Sequence, residues 1–285
     1  MKQLSEHQQG LIAIFIAAIL WSSGGLLIKL ITLTPMQISF FRSAIAAATF
    51  AVIFRKKILK VNWFTLLNSV FYAAVLIFFV LATKTTTAAN AIFLQSTAPI
   101  YVLIFEPIIN KTKYEKANTI TVAVCLVGMV LFFLGDLKPG ELDGNIYGLL
   151  AGIFFASFFL GMRKNGKEYQ QSSIFWGNVL VAIICLPFVF SIAELSFADL
   201  WRVSFLGMFQ IAIAYAIFSF GLKRVYAVEA SIISLIEPVF NPVWVLIGYG
   251  EVPAVYAIAG GVIIILSITT RTVQMGRILF RRRVN

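Results

Sequence analysis

Charge is scarce in this chain: Asp, Glu, Lys and Arg make up 12% of its 285 residues, about half of the roughly 25% usual in soluble domains. Histidine occurs once, as His7 near the N-terminus, and no aspartate falls inside an apolar run. Serine–histidine, paired-aspartate and zinc chemistries each lose a required member on that inventory. A serine–lysine arrangement would need a lysine deep in an apolar run, and none is placed there. Cysteine is almost absent as well. Cys125 and Cys185 both lie in apolar stretches, where a small thiol is ordinary packing, and they form no disulfide framework or metal-ligand spacing. An intramembrane enzyme is therefore the weakest of the function classes, and no cofactor is expected.

What the chain has instead is apolar surface. Hydrophobic residues are 60% of the total, more than a single globular core can bury, and they come in runs of about twenty, the length of helix that spans a hydrocarbon layer of roughly 30 Å. Hydropathy and turn residues together predict ten membrane spans, at 10–30, 35–54, 63–83, 86–109, 117–135, 145–162, 172–192, 202–222, 225–249 and 252–270. The punctuation is chemically sensible: Thr34-Pro35, Arg55-Lys56-Lys57, the Asn110–Lys116 and Gly135–Asn145 loops, and Glu251-Val252-Pro253. Between spans three and four only Thr residues and Lys84 separate the runs. The first run is too long for a signal-peptide core and is expected to persist as a helix.

The net charge of +11 invites a nucleic-acid reading, because clustered cations release counterions from phosphates. Position argues against it. With a cytoplasmic N-terminus, eighteen of the 23 Lys and Arg residues fall on the inside, while Lys29, Lys84, Lys138 and Arg202 fall outside and Arg42 lies within span two. The acids run the other way, with Asp136, Glu141, Asp143, Glu194, Asp199 and Glu251 outside. That is the positive-inside pattern, and one missed or invented span would scramble it. Arg281-Arg282-Arg283 then reads as a topology anchor beside anionic lipid.

Sliding the chain against itself gives a register of 138–139 residues. Gly10, Leu11, Ala13 and Ala18 fall on Gly148, Leu149, Ala151 and Ala156, and Lys84, Ala88, Ala91 and Pro99 fall on Lys223, Ala227, Ala230 and Pro238. Each half holds five spans, an odd number, so the second half enters the membrane upside down. Inverted repeats of this kind are a transporter architecture, with the substrate site near the midplane. The expected fold is all-α: two inverted five-helix repeats, 1–139 and 140–271, a basic cytoplasmic tail at 272–285, and both termini inside.

Particular residues add a resemblance. Leu20-Trp21-Ser22-Ser23 leading to Lys29, Phe40-Phe41-Arg42, the Ala-rich Thr87–Ala91 followed by Pro99, and Leu235-Ile236-Glu237-Pro238-Val239-Phe240 with the later Gly250-Glu251 resemble the drug/metabolite transporter superfamily in its EamA-like branch. The likeness covers both repeats, and its order and spacing are more specific than any one motif. It departs at Glu115, preceded by Tyr114 where the family has Gly, which touches only a loop. The resemblance implies a carrier with spans one to four and six to nine around a central cavity, spans five and ten peripheral, and cargo such as amino acids, other metabolites or drugs, often moved outward.

Glu237 stands about twelve residues into span nine, roughly 18 Å from its inner end. A carboxylate at that depth costs a few kcal/mol, roughly 2.5–3.5, unless it faces a cavity or a partner. It is either a proton-coupling or cation-recognising group, or a neutral or paired acid that pins the helix. Pro238 and Pro242 follow it and, with Pro99, remove amide donors, which marks either helix breaks that line a cavity or packing kinks. Arg42 lies at a similar depth, so Arg42 and Glu237 are expected to pair or to share a cavity, the alternative being an Arg42 that snorkels to the outer interface. Trp21, Tyr72, Gln95, Gln210, Tyr215 and Asn241 are polar-tipped groups inside spans that would frame a small amphipathic ligand, or would pack between helices. Glu106 and Glu229, near the cytoplasmic ends beside Lys and Arg, are expected to pair at the interface.

Gly161–Lys167 has the spacing of a phosphate-binding loop, but Glu168 occupies the Ser/Thr position and the motif ends a lipid span instead of joining strand to helix. A passive channel would need a continuous polar path or rings of like charge, where this chain offers isolated polar groups. A secondary carrier for a small amphipathic metabolite is the favoured function. Its expected partners are that substrate, the lipid bilayer and a second copy meeting it through helices five and ten, with no nucleic acid.

Overall fold

The computed structural model describes residues 4–86, 88–132, 142–192, 194–249 and 255–284. Thr87, Asp136, Lys138, Glu141, Gly250 and Glu251 lie outside the described residues. The regular structure among the described residues is all helical, with no strand. The chain runs through α1 (Glu6–Ser22), α2 (Gly24–Leu30), α3 (Pro35–Phe54), α4 (Trp63–Thr85), α5 (Ala88–Gln95), α6 (Ala98–Ile109), α7 (Lys116–Phe132) and α8 (Leu142–Lys164). It continues with α9 (Gln170–Cys185), α10 (Phe197–Phe205), a π-helical segment (Leu206–Ile213), α11 (Ala214–Leu222), α12 (Ala227–Ser234), α13 (Ile236–Tyr249) and α14 (Val255–Val284).

Helix starts follow local chemistry. Ser5 accepts from the Gln8 amide at 3.2 Å while the Gln8 side chain accepts from the Ser5 amide at 2.9 Å. Thr34 and Gln37 repeat that reciprocal cap, with Pro35 at the first helical position, where its missing N–H has no intrahelical partner to lose. Asn62 and Thr65 do the same for α4.

Among the described residues, seven helical stretches are long and apolar enough to cross a membrane: Glu6–Leu30, Pro35–Leu59, Trp63–Thr85, Asn90–Ile109, Leu142–Lys164, Lys167–Ser191 and Phe197–Leu222. Lys116–Leu131 and Ile258–Arg271 are shorter apolar stretches. α14 runs on without interruption to Val284, through most of the stretch read as a basic tail. No proline or glycine pair stands between Arg271 and Val284 to stop it.

Packing is pairwise: α4 lies on α8 and α9, α3 on α9, α1 on α11, α12 and α13, α5 and α6 on α8, and α7 chiefly on α14. Between α7 and α14, Arg271 is buried, donates from Nε to Asn118 at 2.7 Å, and pairs with Glu115. At the centre, rings from α1, α4, α8 and α11 interlock. Trp21 lies 4.7 Å from Tyr215 and 5.1 Å from Phe218, and Tyr72 lies 4.8 Å from both Phe158 and Tyr215. Such aromatic pairs contribute about 0.5–1.5 kcal/mol each beyond simple burial.

Candidate functional site

Three rods are broken near mid-length, and the breaks set the site. The first falls at Ser22-Ser23, whose hydroxyls turn back to the carbonyls of Ile19 at 2.6 Å and Leu20 at 2.8 Å. That competition with the helix ladder bends it. The second falls at Ser96-Thr97, between α5 and α6, and the third at Leu235, between α12 and α13. Pro99 and Pro238 stand just beyond these last two and deny an amide to the carbonyls of Gln95 and Ser234. The Gln95 carbonyl lies against Gly152 of α8, where a Cβ would stand 3.1 Å from it. Pro242 differs from the expectation of a break: α13 continues through it. A single proline deletes one ladder bond, and its fixed φ is helical, so flanking bonds carry the turn.

These breaks meet. A cavity of about 20 Å³ is lined by Trp21, Arg42, Gln95, Gln210, Tyr215 and Glu237, with Val75, Leu76, Phe79 and Phe155 as apolar walls. A second, of about 10 Å³, lies between the two proline breaks and shares Gln95, Phe155 and Glu237 with the first, adding Ser96, Ser231 and Ser234. Two members of the expected set stand elsewhere. Tyr72 sits in the aromatic layer beside the cavity, and Asn241 lies by the α1–α2 break, where a Cβ on Gly25 would approach its Oδ1 to 3.3 Å.

Arg42 is only 2% exposed and Glu237 only 6%, so neither side chain reaches the surface of the protein. The two share the cavity and act on each other electrostatically, but they form no ion pair in this conformation. Arg42 Nε and Nη1 and the Trp21 Nε1–H meet no acceptor among the described residues. Gln210, in the π-helical segment, donates to the Trp21 carbonyl at 3.5 Å. It lies so close to the α1–α2 break that a Cβ on Gly24 would stand 2.6 Å from its Nε2. π-Helical insertions cluster at functional sites because they re-aim one side chain out of register.

The bundle is tied on either side of this centre. At one end the Thr32 amide donates to buried Asp199 at 3.1 Å, Arg202 donates to the Leu30 carbonyl at 2.8 Å, and Lys29 and Lys84 donate reciprocally to the carbonyls of Thr86 at 2.8 Å and Ile31 at 2.5 Å. Cations at helix C-termini complement exposed carbonyl dipoles. At the other end the Glu106 carboxylate accepts from the amides of Ala227 and Val228, both at 2.7 Å, and Glu229 lies 3.1 Å from His7 Nε2. Those acids thus take backbone amides and a histidine, where pairing with Lys or Arg was expected. The start of α12 leaves amide donors open, and Glu106 projects at their level. On the same rim, burial and then the neighbouring Lys57, Arg224 and Lys167 hold the Lys223 ammonium below its usual range.

Residues 8–134 and 142–271 match the EamA-like transporter family. The chain belongs to that family. It is a multi-pass membrane transporter, not an enzyme. Curated relatives include an uncharacterized transporter of Archaeoglobus fulgidus, 26% identical over 67% of this chain and 69% of its own. The human solute carrier family 35 member G1 is 22% identical over 90% of this chain and 77% of its own. The pseudopaline exporter CntI of Pseudomonas aeruginosa is 22% identical over 83% and 85%. A solved crystal structure superposes with a TM-score of 0.79 at 16% identity, over 94% of this chain and 98% of the other, which speaks for the fold.

The serines of the smaller cavity are absent from the sequence-derived set. The repeat register contained the clue, since an offset of 139 lays Gln95 on Ser234. The Ser22-Ser23 break and the π-helical segment carry no proline signal, and they arise from side-chain competition and helix packing.

Proposed function

We propose that this transporter is a secondary carrier that moves a small amphipathic metabolite outward across the cell (inner) membrane by alternating access. Ten spans in two inverted five-helix halves, both termini cytoplasmic, would carry it. The supporting observation is the pair of broken helices: α5 (Ala88–Gln95) and α12 (Ala227–Ser234) are offset by 139 residues at both ends, and their breaks converge on the two charged groups of the cavity. The packing repeats too, for α4 on α8 and α5 on α8 have counterparts in α11 on α1 and α12 on α1. Two halves so related have two arrangements of similar energy, one open to each face. Names among the relatives, a solute carrier and an exporter, agree with that reading.

Glu237 is the proposed coupling group. A carboxylate in the cavity with no ion pair can gain or lose a proton as the surroundings alternate between the two faces. Purified protein in proteoliposomes, offered radiolabelled amino acids, amines and nucleosides, should show saturable uptake and counterflow for at least one class. Unsaturable conductance would instead make it a channel. Glu237→Gln should retain counterflow while losing the response to an imposed pH gradient.

A further inference from the structure

The geometry points to a carboxylate seat in the larger cavity, so that the cargo of this carrier bears a carboxylate held by Arg42 and Trp21. The inference rests on the carrier reading and specifies what its central site recognises.

The argument is a count of donors and acceptors. Arg42 brings a fixed charge that no pH in the cell removes, and two of its nitrogens meet no acceptor. Trp21 lines the same cavity, and its buried indole N–H also meets no acceptor among the described residues. Buried donors are nearly always satisfied, so unmatched ones that converge on one space mark a place for an absent acceptor. An arginine fork matches the two oxygens of a carboxylate. The remaining walls, Val75, Leu76, Phe79 and Phe155, are apolar and would take the cargo's carbon skeleton.

The smaller cavity has the opposite balance. Ser231 and Ser234 commit their hydroxyl protons to the carbonyls of Val228 at 2.9 Å and Ala230 at 2.8 Å, which leaves only their oxygen lone pairs on offer. Glu237 stands between the two spaces and lines both. The larger cavity thus holds unmatched donors on Arg42 and Trp21 and acceptors on Glu237 and on Gln210, whose buried Oε1 is also unpartnered among the described residues; the donors take the cargo's carboxylate, and the acceptors there and in the smaller cavity tolerate a donating group beside it. A simple amine would satisfy Glu237 and leave Arg42 and Trp21 unmatched, so the seat disfavours purely cationic cargo. At about 20 Å³ the larger cavity admits little more than one water, so the carboxylate enters as one mouth opens and the walls part.

Matched ligands that differ in one group test this: leucine, 4-methylpentanoate, isoamylamine and leucine methyl ester, with nitrate and phosphate as inorganic oxyanions. Binding is read as thermal stabilisation of the purified full-length protein and as competition in counterflow. Leucine and 4-methylpentanoate should bind, and the ester, the amine and the inorganic ions should not. Trp21→Phe, which keeps the ring and loses the donor, and Arg42→Lys, which keeps the charge and loses the fork, should each weaken carboxylate binding about tenfold or more, the worth of a hydrogen bond to a charged group. Binding of the amine in preference to 4-methylpentanoate, failure of both carboxylates to bind, or carboxylate affinity unchanged in Trp21→Phe would overturn the seat. Nitrate or phosphate binding in place of the carboxylates would reassign it to inorganic anions and equally reject the inference. Saturable counterflow of any solute keeps the carrier reading alive in all of these cases, whereas its loss for every solute removes that reading instead.

Discussion

Gly207 lies directly against the backbone of Arg42: a Cβ at position 207 would stand 2.6 Å from the Arg42 carbonyl oxygen and 2.8 Å from Ile45 Cβ. That contact sets how closely the π-helical segment approaches α3, and so where the Arg42 guanidinium sits relative to Gln210 and Glu237. Gly207→Ala adds one methyl group where backbone cannot yield. Overpacking of this kind costs about 1–3 kcal/mol. Transport should fall more than thermal stability does, because the displaced group is the cavity's cation. Equal transport rates for Gly207→Ala and the parent protein would refute that link.

Glu106 carries the start of α12. Both of its oxygens accept backbone amides at 2.7 Å, and such charge-assisted bonds to a helix N-terminus contribute about 1.5–3 kcal/mol each. Glu106→Gln keeps one acceptor and turns an NH2 toward an amide. A melting temperature lower than the parent's by several degrees is expected in detergent, and Glu106→Ala should lower it further. An unaltered melting curve would show that water replaces the cap at no cost.

Asp199 ties the end of the bundle that holds Leu30 and Thr86. Its bonds with Thr32 join the residues just past α2 to α10, and Arg202, its neighbour on α10, reaches the Leu30 carbonyl. In Asp199→Asn the tie loses its charge, and with about 1 kcal/mol less holding that end shut, the open form gains about fivefold in population. A Gln95→Cys reporter on the cavity wall should then react correspondingly faster with an impermeant maleimide added from outside. A rate no different from that of Gln95→Cys alone would mean that the tie does not gate access.

Arg271 offers a contrast. Its bonds to Asn118 and Glu115 join α14 to α7 and the residue just before it, and neither helix supplies a wall of the two cavities that hold Glu237. Glu115 is exposed and rehydrates when its partner is removed, so Arg271→Ala should cost only about 1–2 kcal/mol of stability. Transport per folded molecule should be preserved. Loss of transport without loss of stability would show that α14 belongs to the moving machinery.

Several of these features can be read in the amino-acid order. Apolar runs mark helices, because lipid contact and charge burial are costs that each residue meets locally. Pro99 and Pro238 locate two of the breaks for the same reason, a missing N–H being a property of one residue. Counting helical rise puts Arg42 and Glu237 at one level, and the two do line one cavity. Other features depend on what stands opposite in space. Tyr72 and Asn241 look like cavity residues in the sequence but pack beside it, while Ser231 and Ser234 face it. Pro242 leaves its helix intact, and Glu106 finds amides 121 and 122 positions away. Hydrophobicity and chain stiffness act along the chain and show themselves in order and composition; donor–acceptor matching across helices depends on rotation and offset to within about an ångström, which a one-dimensional pattern does not encode.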